Sequence, residues 1–302
     1  MGMSEWKHYL GEGLNTKELE KLFYELDFSN GENIESVIFK IAELIPWQTS
    51  VYDVIDELQN TTLRISTRKY SRLIQKEIAN VYLASITKKG FTNNYDDLEG
   101  GVYLLSSMGD PSASYKNFKL KLDTLALRVG ELFELNREIL TDSVRIQLLS
   151  RVLHEEEGFS GNQSNYHNPD NSFVTRVVKS RKGIPISLST IYILIGKRLH
   201  MPIYGINLPM HFMVSYETET FQSYIDPFNG GVQITKETCT RFLEANGYKD
   251  TSDHFRKTST LTILKRMYNN LILIYRKSGE LEKEENFSEQ LKILERKKNN
   301  IV

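Results

Sequence analysis

A histidine and an aspartate stand at the two ends of a predicted β-hairpin in this 302-residue chain. The strand patterns HFMVSY and FQSYID flank a polar turn, ETET. A symmetric antiparallel register about that turn pairs Tyr216 with Phe221 and sets His211 directly opposite Asp226. Directly opposed residues share a face, with Cβ atoms roughly 4.5–5.5 Å apart, so a carboxylate there can accept a hydrogen bond from an imidazole. Such a pair supplies the base and the orienting acid of a catalytic triad.

Several motifs around this pair resemble the transglutaminase-like superfamily. They occur in the family's order and read LHEEEGFSGNQSNYHNPDNSF (153–173), KGIPISLSTIY (182–192), NLPMHFMV (207–214) and DPFNGG (226–231). The resemblance runs from about Asp97 to the C-terminus and is closest to the bacterial SirB-one type. It implies a papain-like arrangement, in which a nucleophilic cysteine at a helix start precedes a histidine and an aspartate on strands.

The nucleophile position of that arrangement is occupied by proline. Active transglutaminases carry a Gly-x-Cys step at the helix start, and the matching step here is Gly183-Ile184-Pro185. Proline suits the first helical residue, because its φ is fixed and no N–H is needed there, but it has no nucleophilic atom. The single cysteine, Cys239, follows Asp226 in the chain and does not match the slot. The SirB-one type tends to carry this Pro-x-Ser variant.

Two hydroxyls near the helix start are possible substitutes for the missing thiol. Ser187 is two residues beyond Pro185, about 200° around the helix, so its side chain should point away from His211. Ser189 returns to nearly the same face as Pro185 but lies ~6 Å further along the axis. Helix-start hydrogen bonding and packing is the simpler interpretation of both hydroxyls.

Composition excludes several other functions. The 38 basic and 39 acidic residues leave a net charge of −1, which predicts no nucleic-acid or anionic-membrane surface. No apolar run reaches the ~18 residues of a membrane span, and the first residues lack the apolar segment of a signal peptide. One cysteine rules out an internal disulfide, so we expect a cytoplasmic protein. The histidines His154, His167 and His200 have no metal-ligand spacing, and we expect neither metal nor cofactor.

The predicted fold is α+β, with a small antiparallel sheet packed against the Pro185 helix. Helical patterns fill residues 1–95, where Thr16 to Leu26 is the clearest, and GFTNN at 90–94 marks a boundary. The transglutaminase-like core with a helical lead-in follows at 96–255. Residues 256–302 resemble one tetratricopeptide-like helical hairpin. Such a unit cannot bury its face alone, so we expect it to pack on the core.

Two functional hypotheses follow from an intact His211–Asp226 pair beside an absent nucleophile. The first is a non-catalytic transglutaminase-like protein that binds a protein or peptide partner in the degenerate active-site cleft. The second is a hydrolase or acyl-transfer enzyme of the peptidase or transglutaminase type. It would use Ser189, Ser187 or a water molecule together with the pair. A hydroxyl within ~3.2 Å of a His211 ring nitrogen would favour the enzyme.

Overall fold

Amphipathic helices build the N-terminal part of the protein. The structure is a computed structural model that describes residues 15–28, 33–89, 95, 97–111, 113–248 and 252–296. In α1, Thr16–Phe28, the apolar side chains that recur three and four residues apart are all buried: Leu19, Leu22, Phe23 and Leu26. Glu18 follows Asn15 at the spacing of a capping box, which predicts Asn15 as the helix cap. In the structure Asn15 Oδ1 accepts a hydrogen bond from the Glu18 N–H at 3.2 Å.

The next helices pack on α1 and on one another. They are α2 (Ile34–Leu44), α3 (Val51–Asp56), α4 (Thr61–Thr67) and α5 (Ser71–Lys89). The apolar spacing of the sequence predicts helices at 34–45, 49–58 and 67–86, which correspond to α2, α3 and α5, but it does not predict α4. Its start is fixed by Asn60, whose Oδ1 accepts a hydrogen bond from the Leu63 N–H at 3.0 Å. The predicted boundary at 90–94 lies outside the described residues.

Three helices lead into the sheet. They are α6 (Leu98–Gly109), α7 (Tyr115–Leu135) and α8 (Asp142–Ser150), and α8 continues into a π-helical segment, Arg151–Glu156. The sequence predicts helices at 96–106 and 114–135, which correspond to α6 and α7. Apolar residues face inward along α7, among them Leu122, Leu125 and Val129.

Two small sheets form the β part of the fold. In the first, β1 (Ser160–Gly161) pairs in parallel with β2 (Lys182–Gly183), and α9 (Val174–Ser180) lies between them in the chain. The helix α10, Pro185–Arg198, begins directly after β2. The second sheet is antiparallel, with the order β3 (Ile203–Ile206), β4 (Met213–Glu217), β5 (Gln222–Asp226) and β6 (Val232–Ile234). The α+β prediction is therefore confirmed.

The predicted β4–β5 register was wrong by two residues. Tyr216 pairs with Ser223, not with Phe221, because the turn tightens around Thr218. The Thr218 N–H donates to the Phe221 carbonyl at 2.9 Å, and the Phe221 N–H donates to Thr218 Oγ1 at 3.1 Å. Since side chains alternate along a strand, a shift of two keeps every side chain on its predicted face. His211, just before β4, therefore becomes a diagonal neighbour of Asp226.

Helices cover both faces of the four-stranded sheet. One face packs into the main core with α10 and contributes Phe212, Val214 and Ile225. The other face packs under α11, Lys236–Ala245, in a smaller apolar cluster that consists of Ile206, Leu208, Met213, Tyr224, Cys239, Leu243 and Phe255. The sheet is thus held on two sides, and the turn that follows Asp226 lies against α10.

The C-terminal helices α12 (Thr260–Ser278) and α13 (Leu281–Glu295) form an antiparallel pair joined at Gly279. Phe287 lies at their interface, stacked on Tyr275 at 5.6 Å and 6.3 Å from Phe173 of the core. Lys76 of α5 forms an ion pair with Glu289 at 2.5 Å. The predicted packing of this hairpin on the core is confirmed.

The main apolar cluster extends from Leu19 to Leu294, so it includes side chains from all three predicted regions. The region boundaries at 95/96 and 255/256 stay predictions. Within the described ranges, no helix is long and apolar enough to cross a membrane.

Candidate functional site

His211 and Asp226 are hydrogen-bonded. His211 Nε2 lies 2.9 Å from Asp226 Oδ2, so the hydrogen bond that the sequence predicts is present although the register differs. An ionised carboxylate only accepts hydrogen bonds, and Nε2 therefore carries the proton. In the neutral ring Nδ1 is then the basic nitrogen. It forms no hydrogen bond to another described residue.

The local sequence DPFN holds Asp226 in an ionised form. Its Oδ1 accepts hydrogen bonds from the Phe228 N–H at 3.1 Å and the Asn229 N–H at 3.3 Å. Its Oδ2 also accepts one from Asn229 Nδ2 at 2.8 Å. Burial, at 6% exposure, opposes ionisation of this group, but the hydrogen bonds from His211 and Asn229 outweigh it and lower the pKa of Asp226.

Pro185 begins α10 as the sequence predicts, and it is buried. The helix start is completed by Ser187, whose Oγ accepts a hydrogen bond from the Ile184 N–H at 3.0 Å. The Ser187 hydroxyl lies 2.6 Å from the Asn171 carbonyl oxygen, which accepts its proton. Ser189 donates to the Phe212 carbonyl at 3.3 Å, which places the second turn of α10 against the residue that follows His211.

Both serines are therefore engaged by backbone groups. Each has 0% exposure, and the hydrogen bonds that the structure gives Ser187 and Ser189 go to main-chain atoms. A nucleophilic hydroxyl needs its proton directed at a base, and these protons are directed at carbonyl oxygens. The geometry agrees with the structural interpretation of the two hydroxyls.

Cys239 lies on α11, under the sheet. Its Sγ is 3.8 Å from Met213 Sδ, and its side chain is buried. Burial, together with the charge of Asp226, raises the pKa of the thiol to about 11. Because the thiolate is the reactive form, this cysteine is a packing residue in the folded protein.

A half-buried chain of hydrogen-bonded polar groups near Asp226 was not predicted from the sequence. His154 Nδ1 lies 2.7 Å from the Phe159 carbonyl oxygen, and its Nε2 lies 2.9 Å from the Tyr192 hydroxyl. The Tyr192 hydroxyl is 3.0 Å from Ser150 Oγ, which in turn donates to the Gly231 carbonyl at 3.0 Å. Burial lowers the pKa of His154. His154 belongs to the motif LHEEEGF, and only that motif could have indicated it.

Gly231 joins this chain to Asp226, because its N–H donates to the Asp226 carbonyl at 2.8 Å. It has φ +69°, and an added Cβ would lie 2.3 Å from the Tyr192 hydroxyl and 2.6 Å from Ser150 Oγ. The neighbouring Gly230 has φ +80°, but nothing lies within 4 Å of an added Cβ. A side chain at Gly230 would therefore meet backbone strain alone, whereas one at Gly231 would meet both backbone strain and a steric clash.

We predict that Gly231→Ala lowers the free energy of unfolding by about 3 kcal/mol, from overpacking added to left-handed strain. Gly230→Ala should lower it by only about 1 kcal/mol, because strain acts alone there. Urea denaturation of both variants measures the difference. Equal losses in the two variants would contradict the close approach of Tyr192 and Ser150 to Gly231.

Two hollows on the protein surface are lined in part by residues of α10 or its flanks. The larger, about 480 Å³, lies between α7 and the end of α10, away from the pair, and its lining includes Leu127 and Arg198. The smaller, about 110 Å³, lies beside the start of α10 and is lined by Tyr166, His167, Ile184, Asn270, Leu273, Ile274 and Lys277. In the part of the chain that the structure describes, no three His, Cys, Asp or Glu side chains form a metal-binding group.

Comparisons with known proteins agree with this architecture. The family model described as "Transglutaminase-like superfamily" matches residues 116–269, which is 154 of the 302 residues. F-box only protein 21 of Homo sapiens is 28% identical over 222 residues, covering 63% of this chain and 35% of that protein. A UPF0162 protein of Xylella fastidiosa is 31% identical over 138 residues, covering 44% and 49%. One of Vibrio cholerae is 34% identical over 103 residues, covering 34% and 38%.

The chain thus spans less than half the length of each of these curated relatives. No solved structure matches it.

Proposed function

Because the chain belongs to the transglutaminase-like superfamily, we propose that it is a non-catalytic member that binds a protein or peptide partner in the degenerate active-site cleft. One observation carries the proposal. The base and its carboxylate are held at 2.9 Å, whereas the nucleophile position at Pro185 has no reactive atom and both nearby hydroxyls are bonded to the backbone. Such a site keeps the histidine and its orienting carboxylate but lacks the group that would attack a substrate.

The rim of the cleft supports binding. Phe228 makes edge contacts with His211 at 6.3 Å and with Tyr166 at 6.0 Å between ring centroids. Met210 stands beside them with 67% of its surface exposed and with φ +62°. Left-handed backbone is strained for a residue with a Cβ, and strain of this kind concentrates at ligand-binding sites. An exposed methionine and aromatic rings are typical of surfaces that contact other proteins.

Three finer assignments belong to the same proposal. We assign the chain to the SirB-one type, supported by the motifs around Pro185 and His211 and by the bacterial relatives. We treat the α12–α13 hairpin as tetratricopeptide-like, since it has the helix–turn–helix form with Gly279 in the turn. We place the protein in the cytoplasm, because one cysteine suits a reducing compartment.

The test uses a photo-reactive amino acid placed at Met210 and, as the matched control, at Phe242. Phe242 is also apolar and 46% exposed, but it lies on α11. Irradiation in an extract of the source cells should cross-link the Met210 position to one defined protein, and the Phe242 position should give no such product. The Met210 product should disappear when excess unlabelled native protein is present. Equal products from both positions would refute a partner site at the cleft.

We predict opposite effects of Met210→Gly on stability and on binding. Glycine adopts φ +62° without a steric penalty, so the variant should be at least as stable as the native protein, with a gain of up to about 1 kcal/mol. The same variant should compete for the cross-linked partner at least fivefold less well, because the exposed side chain is gone. Urea denaturation and the competition assay measure the two quantities. Weaker competition from a destabilised variant would point to a structural role instead.

A second candidate is a hydrolase that activates water at His211 Nδ1, which has no hydrogen-bond partner among the described residues. An activated ester such as p-nitrophenyl acetate tests this candidate. Hydrolysis that is lost in both His211→Ala and Asp226→Asn, with the fold retained, would favour the enzyme over the binding protein.

A further inference from the structure

Arg266 of α12 is a cation that has no anionic partner among the described residues. Its Nη1 donates to Asn207 Oδ1 and to the Leu208 carbonyl, the latter at 2.8 Å. Its guanidinium also lies over the Phe212 ring, 5.5 Å from the centroid. No carboxylate of the described chain lies within 4 Å of it, and its Nη2 and Nε form no hydrogen bond there. The side chain is oriented by its neighbours but not neutralised.

The guanidinium belongs to the wall of the His211 cleft. The Leu208 carbonyl that accepts from Arg266 also accepts from the His211 N–H at 3.3 Å. Burial lowers the pKa of the Arg266 guanidinium. A half-buried arginine without a counter-charge is an unfavourable arrangement that a bound carboxylate would relieve.

The hollow of 110 Å³ continues along the same helix. Asn270 is one turn beyond Arg266, and Leu273 and Lys277 follow in the lining. Leu273 is 51% exposed, and a hollow of this size suits one apolar side chain. Lys277 is exposed and has no ion pair within the described ranges. The cleft therefore presents two unneutralised cations with an apolar patch between them.

We infer that this cleft binds an extended acidic peptide, with one carboxylate on Arg266, an apolar side chain against Leu273 and a second carboxylate on Lys277. This inference rests on the proposed function and names the chemistry of its partner. The two cations are eleven helical positions apart, a rise of about 16 Å. An extended chain advances about 3.3 Å per residue, so the two acidic residues of the partner should be about five positions apart.

The experiment is a selection from a random library of displayed peptides about twelve residues long, using the immobilised native protein. Selected peptides should be enriched in pairs of Asp or Glu about five positions apart, with an aliphatic or aromatic residue between them. The best peptide is then synthesised with a fluorescent label, and its affinity is measured by anisotropy. A version with Gln in place of both acidic residues serves as the ligand control.

Three protein variants assign the contacts. Arg266→Gln should lower the affinity for the selected peptide at least tenfold, because a half-buried guanidinium–carboxylate pair is lost. Lys277→Gln should weaken it about two- to threefold, because that contact is exposed. Arg276→Gln is the matched control on the same helix. Arg276 is already paired with Glu284 at 2.7 Å, and its loss should leave the affinity unchanged.

The outcomes separate this inference from the proposed function. The inference would be overturned if the enriched peptides lacked acidic residues, or if neither Arg266→Gln nor Lys277→Gln changed the affinity. Either result would leave peptide binding in place. No enrichment at all would overturn the inference, and the Met210 cross-link then decides the proposed function. Lys277→Gln keeps the test decisive if Arg266→Gln fails to fold, since Lys277 makes no ion pair in the described structure. Displacement of the peptide by a single-stranded oligonucleotide at equal charge would overturn the inference in favour of phosphate binding.

Discussion

The Pro185→Cys variant should contain two thiols of very different reactivity. We expect the introduced thiol to lie at a helix N-terminus near the His211 imidazole, a setting that lowers a thiol pKa to about 7 or below. Burial raises the pKa of Cys239 to about 11 in the same molecule. The thiol at position 185 has the larger thiolate fraction at pH 7, and its lower intrinsic nucleophilicity offsets part of that advantage. Iodoacetamide should therefore label position 185 roughly a hundredfold faster than Cys239 at pH 7. Mass spectrometry of the labelled peptides gives both rates from one sample.

Two controls make this result specific. In urea the two thiols should react at similar rates, because both then have the pKa of an unfolded cysteine. Adding His211→Ala in the folded protein should slow position 185 and leave Cys239 unchanged. If the introduced thiol reacts as slowly as Cys239, burial dominates at position 185 and the slot does not face His211.

Asp226→Asn should lower the free energy of unfolding at pH 7 by about 3 kcal/mol. The amide keeps the size of the side chain but brings an NH₂ group toward His211 or Asn229, where only an acceptor fits, and so leaves buried donors unsatisfied. Asp253→Asn is the matched control. Asp253 forms an exposed pair with Arg256 at 2.7 Å, and its loss should change stability by less than about 0.5 kcal/mol.

The stability difference should also depend on pH. The pKa of Asp226 is lower in the folded than in the unfolded protein. Its stabilisation is therefore complete above the unfolded value of about 4 and disappears as pH falls through the lowered folded value. Native protein and Asp226→Asn should converge in stability toward pH 2. A difference that stays constant from pH 7 to pH 2 would show that the carboxylate charge contributes nothing to the fold.

The sequence predicts the His211–Asp226 contact correctly even though the predicted strand register was wrong by two residues. Alternation along the strands puts both side chains on one face, and the two-residue shift around Thr218 preserves that parity. The turn itself was wrong because side-chain hydrogen bonds of Thr218 decide where it closes, and the ETET pattern does not show them. The face that each side chain takes can be predicted from the alternation of residues along a strand, but the position at which the turn closes cannot.

Local chemistry also explains which helices were predicted. The regular apolar spacing of α1 and the capping pair Asn15 and Glu18 define that helix from sequence alone. The segment TTLRIST of α4 is rich in hydroxyl and β-branched residues, which disfavour helix, and its packing against α1 decides its structure.

Arg266 could not be identified from sequence at all. Its contacts with Asn207 and Leu208 span more than fifty positions of the chain, and a cation inside an amphipathic helix is usually a solvated residue. The same holds for the chain from His154 to Gly231, which joins three separate segments. Properties that depend on the docking of distant elements require the folded structure.

The left-handed backbone at Met210 has a consequence for the kinetics of recognition. The backbone conformational entropy of this residue is lost when the protein folds, so a partner does not have to order its main chain. Association can then proceed as the docking of two preformed surfaces, at a rate governed by their encounter. Changes that loosen residues 207–210 should reduce affinity by adding an ordering step before contact, even where every contacting side chain is retained.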